Sequence, residues 1–145
     1  MLHAVKAYIP AVLCAYLLAS MAATQIILAE VAAMGVAVPL VDRLAATLHD
    51  MWGLAASYLP LIAIAFVLAL PVAAGLGRLL PQRRALLYSL AGFVALVALH
   101  LVMKAVLGVS GIAATRSLPG LLSQGAAGAV GGLCFYAITR RNARR

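Results

Sequence analysis

No charged side chain occurs between Lys6 and Glu30, and none between Asp50 and Arg78. Either gap holds a helix that crosses ~30 Å of hydrocarbon, which takes ~20 residues at 1.5 Å rise per residue. A third apolar stretch follows Arg84 and reaches about Leu107, with His100 and Lys104 in its last two turns, and a fourth begins near Pro119 and ends before Arg140. The stretches do not alternate as barrel strands do, and backbone groups in lipid must pair within the segment, so each reads as a helix. With 66% hydrophobic residues, 10% charged residues and a mean hydropathy of +1.11, the composition is that of an integral membrane protein. The expected fold is an all-α, four-transmembrane-helix antiparallel bundle, a single domain over 1–145, with spans at about 7–29, 54–77, 85–107 and 119–139.

Orientation follows from Lys and Arg, which short loops retain on the cytoplasmic side. Lys6, Arg78, Arg83, Arg84, Arg140, Arg141, Arg144 and Arg145 fall on one side; Arg43, Lys104, Arg116 and all three acids, Glu30, Asp42 and Asp50, fall on the other. Both termini are therefore expected in the cytoplasm, with the chain multi-pass in a bacterial inner membrane. The net charge of +8 is then mostly a topology signal, and nucleic acid is not an expected partner. The tail arginines would also attract anionic headgroups.

Lys6, an apolar core and Ser20-Met21-Ala22 have the pattern of a secretory signal with a cleavage site. The apolar run continues through Leu28, past the ~7–15 residues of a signal core. Ala11, Ala15, Ala19 and Ala23 also form an i, i+4 ridge suited to packing, so the first span is expected to be retained.

Such ridges recur. Ala65, Ala69, Ala73 and Gly77 line one face of the second span; Ser123, Ala127 and Gly131, with the neighbouring Gly128 and Gly132, line the fourth. Helices in lipid associate through close backbone approach, which small residues permit. The fourth-span face of Ala127, Gly128, Gly131 and Gly132 is accordingly a helix-packing face or the face for a partner or second copy. Pro60 and Pro71 are expected to bend the second helix.

Between the first two spans, Val41, Leu44, Leu48 and Met51 recur at helical spacing, with Asp42, Arg43, Thr47, His49 and Asp50 on other faces. About 40–52 reads as a short amphipathic interfacial helix, a connector or a lid, with Trp52 at headgroup depth.

Counted by depth, the polar residues coincide. Ser20, Thr24, Gln25 and Glu30 occupy the outer half of the first span, His100 and Lys104 the outer part of the third, and Ser123 and Gln124 the outer end of the fourth. His100 and Lys104 share a face, with Arg116 at the rim above. Ionisable groups in membrane helices face a partner or a wet cavity. Gln25, Glu30, His100, Lys104, Arg116 and Gln124 thus form the candidate polar site, fit for a phosphate or carboxylate with Glu30 as counter-ion. The competing reading is structural: amides bonding across helices and a lysine reaching for the headgroups.

No metal site or cofactor is expected, because two histidines on a connector and a span lack a ligand spacing. Cys14 and Cys134 read as packing residues without a C-x-x-C, and no phosphate loop, nucleophile elbow or zinc-protease motif occurs. The sequence points to a non-enzymatic accessory or assembly subunit packing against a larger membrane complex. The alternative is a small carrier or channel using the polar site, with a lipid-modifying enzyme behind it. Partners expected are the bilayer and a membrane protein or a second copy.

Overall fold

The computed structural model describes residues 2–108 and 111–142; Arg144 and Arg145, counted in the charge asymmetry, lie outside the described residues. Among the described residues every regular element is helical: α1 (Leu2–Ala33), α2 (Leu40–Gly53), α3 (Ala55–Leu79), α4 (Arg84–Leu107) and α5 (Leu118–Asn142), with 3-10 turns at Pro81–Arg83 and Ala113–Arg116. α1, α3, α4 and α5 are long and apolar enough to cross a membrane, as in a multi-pass membrane protein.

The ends have local causes. Gly35, at φ +86°, takes the left-handed conformation just past α1, and its N–H bonds the Ala32 carbonyl at 3.0 Å. Gly108, at φ +68°, ends α4 in the same way. A side chain at either position would meet the steric cost that glycine avoids. Nothing stops α1 before Gly35, so it outruns the expected span at both ends. α3 runs unbroken through Pro60 and Pro71.

α5 packs against α1 on one side and α4 on the other; α4 packs on α3, and α1 touches α2 and, over a smaller area, α3. The alanine ridge of α1 is the seam with α5: Ala11, Ala15 and Ala19 are fully buried, and a Cβ on Gly131 would lie 2.7 Å from that of Ala15. At the α4–α5 crossing the backbones nearly touch. A Cβ on Gly92 or Gly128 would fall on the other's carbonyl oxygen, and one on Gly132 would fall on that of Tyr88. Phe66, Ile62 and Leu96 fill the interior, while Tyr88, Phe135 and Tyr136 stack at the arginine-rich end, with centroids 5.5 and 5.9 Å apart.

Candidate functional site

Three helices each bring one polar side chain, and a fourth a backbone carbonyl, to the same place in the bundle. α3 places Tyr58 one turn from its start, α4 places His100 two turns from its end, and α5 places Gln124 within two turns of its start. α1 contributes the Ala19 carbonyl beside Ser20. Gln124 is fully buried; its Nε2 donates to the Ala19 carbonyl at 3.0 Å and its Oε1 accepts from the Tyr58 hydroxyl at 2.7 Å.

The Ala19 carbonyl can only accept, so it fixes which way the Gln124 amide points, and that spends the one proton of the Tyr58 hydroxyl. His100 Nε2, 2.9 Å from the Tyr58 oxygen, must therefore be the donor. The tautomer is set by a carbonyl on another helix. Nδ1 of His100 makes no hydrogen bond among the described residues. Ser20 is fully buried, and its hydroxyl is the one sealed side-chain polar atom without a partner among the described residues.

A second network ties α2 to α1. Gln25 Nε2 donates to Thr47 Oγ1 at 2.9 Å, the Thr47 hydroxyl donates to the Arg43 carbonyl at 2.7 Å, and Arg43 Nη1 donates to Gln25 Oε1 at 3.2 Å. The Thr24 hydroxyl lies 2.8 Å from Asp50 Oδ2 and 3.0 Å from the Ser20 carbonyl; the carboxylate is the stronger acceptor. The Tyr16 hydroxyl donates to the Met51 carbonyl. α2 thus turns polar groups toward α1 and leaves Leu40, Val41, Leu44, Leu48 and Trp52 exposed, Trp52 by 87%.

Of the residues singled out in the sequence, His100, Lys104 and Arg116 line one cavity of about 230 Å³ between the end of α4 and the start of α5, together with Thr115 and Ser117. Lys104 and Arg116 are exposed, and His100, 4% exposed, forms the floor. Glu30 does not line that cavity and is exposed on α1. Gln25 is engaged with α2, and Gln124 with α1 and α3, so the two amides serve different networks. Gly128 and Gly132 face α4, Gly131 faces α1, and Ala127 is buried.

Sequence reasoning missed Tyr58, the hub of the buried network. A tyrosine at the edge of a span reads as an interfacial aromatic, and only the shared depth with His100 and Gln124 marks it out. The fold and the polar layer define an all-helical multi-pass membrane protein. No known protein family, curated protein or solved structure matches this chain.

Proposed function

We propose that the chain is a non-enzymatic accessory subunit of a bacterial inner membrane, an antiparallel four-helix bundle with both termini in the cytoplasm. It packs against a larger membrane protein through α3 and α4. One observation carries this reading. The fourth-span glycines are occupied inside the chain, whereas Ala65 and Ala69 of α3 and Ala91, Ala95 and Ala98 of α4 line an open trough of about 510 Å³. α3 and α4 are also the less buried spans. These alanines share the trough with Leu61, Ile64, Leu68, Val72, Val94, Leu99 and Val102, and an apolar groove with small residues in it suits the approach of another helix. α2, polar side inward and apolar side outward, is an interfacial helix bracing the outer end of α1.

The test places leucine in the trough. Ala65→Leu with Ala98→Leu is expected to abolish co-purification of the partner in mild detergent and leave insertion and abundance unchanged. Native mass spectra in which the double variant keeps its partner would sink the proposal. So would a wild-type protein released only as the 15.0 kDa chain.

A second reading rests on the cavity of His100, Lys104 and Arg116: a small carrier whose outer site holds an anionic group. Two cations and a histidine line it with no acid among them. Lys104→Ala should then remove ligand binding or uptake in proteoliposomes at unchanged abundance, and full retention of both would dismiss the carrier.

A further inference from the structure

We infer that the arginine-rich end holds a binding site for an anionic phospholipid, its phosphate between Arg84 and Arg140 and an acyl chain in the crevice beneath. Two cavities meet there. One, of about 540 Å³, is lined by Gln82, Arg84, Tyr88, Tyr136, Thr139 and Arg140; the other, of about 460 Å³, runs between α1 and α3 over Phe66, Leu70, Ala74 and Phe135. Tyr88 and Thr139 line both, so a charged mouth adjoins an apolar chamber. Each volume lies in the ~300–1,000 Å³ range of ligand pockets.

The electrostatics select the head. Arg84 opens α4, at the positive end of the helix dipole, and no acid lines either cavity. The chain has three acids, and two of them, Asp42 and Asp50, sit on α2 while Glu30 sits near the end of α1. The two guanidiniums thus share a mouth lined by no acidic side chain, and guanidinium forks match phosphate oxygens. Arg84 lies over Gly77, whose missing side chain leaves room: a Cβ there would come within 3.3 Å of Arg84 Cγ and Nε. The Tyr88 ring is 5% exposed, and its hydroxyl makes no hydrogen bond among the described residues. The chamber selects the tail. It is walled by Val5 and Tyr8 of α1 and by Val67, Leu70 and Pro71 of α3, an apolar lining that suits an acyl chain.

The experiment is native mass spectrometry of the protein released from nanodiscs of phosphatidylglycerol and phosphatidylcholine in equal parts. Wild type is expected to retain one phosphatidylglycerol. Arg84→Gln with Arg140→Gln should lower that retention about tenfold or more, at roughly 1 kcal/mol per basic residue near an anionic lipid. Lys6→Gln with Arg78→Gln, which removes two cations that line neither cavity, should retain lipid as wild type does. Equal losses in both double variants, or no loss in the first, would overturn the site.

A measurement on the wild type guards against misfolded variants. Modification of Arg84 and Arg140 by phenylglyoxal should slow about tenfold in phosphatidylglycerol micelles relative to a neutral detergent, by the same electrostatics. Unchanged modification overturns the proposal. Equal protection by inorganic phosphate without lipid overturns the amphiphile, because the apolar chamber would then contribute nothing.

Discussion

Gln124 holds three helices with one amide, and the order in which its bonds are assigned decides the chemistry of its neighbours. The Ala19 carbonyl orients the amide, the amide takes the Tyr58 proton, and His100 is left to donate. Tyr58→Phe would strand the Gln124 oxygen and the His100 Nε2–H in the core. An unmade buried hydrogen bond costs about 1–3 kcal/mol. Unfolding in mixed detergent micelles should therefore show a loss of that size. Adding Gln124→Leu to Tyr58→Phe should cost less than the sum of the single changes, since the second change removes an acceptor already stranded. Strict additivity would mean that the two side chains do not interact. At this scale depth was legible in the sequence, because 1.5 Å per residue is enough to count it. Partner choice was not. Gln124 meets the Ala19 carbonyl, six residues short of Gln25 on α1, and which neighbour each amide meets depends on rotation about the helix axis, where one residue turns the side chain by about 100°.

Among the elements, α1 and α5 are the more buried spans and α3 and α4 the less buried. The alanine ridge on α1 and the glycines on α5 were visible as spacing, and small residues at i, i+4 permit close approach whichever helix supplies the other face. What spacing does not specify is the pairing: Gly131 met Ala15 of the first helix while Gly128 and Gly132 met the fourth, on two sides of one helix. A test of the pairing is already built in. Cys14 and Cys134 are free and meet where α1 packs on α5. A short bifunctional thiol reagent should join them within one chain, seen as a faster gel band at monomer mass that Cys14→Ser abolishes. Cross-links only between chains would place α5 against a second copy and contradict the fold. α2 shows a different limit. Its helical period was plain, and it begins directly after Pro39. Its roll was not, since polar residues bonded to α1 leave the apolar side outward, the reverse of a helix on a soluble core.

For the whole molecule, the number of spans was readable because lipid forbids unpaired backbone and so turns hydropathy into helix count. The arginine-lined chamber was not, because cations that set orientation and cations that line a site look alike until α4 and α5 bring Arg84 and Arg140 to one mouth. The seam between α1 and α5 joins the first helix to the last, and this has a consequence for biogenesis. At ~5–20 residues per second, the ribosome needs on the order of ten seconds after finishing α1 to deliver the helix that covers its alanine ridge. Through that interval Ser20, Thr24 and Gln25 stand in the bilayer without α5. The next segment translated is α2, and it carries Thr47 and Asp50, the side chains that receive Gln25 and Thr24. The chain thus supplies a chaperone for its own first helix from the residues that immediately follow it.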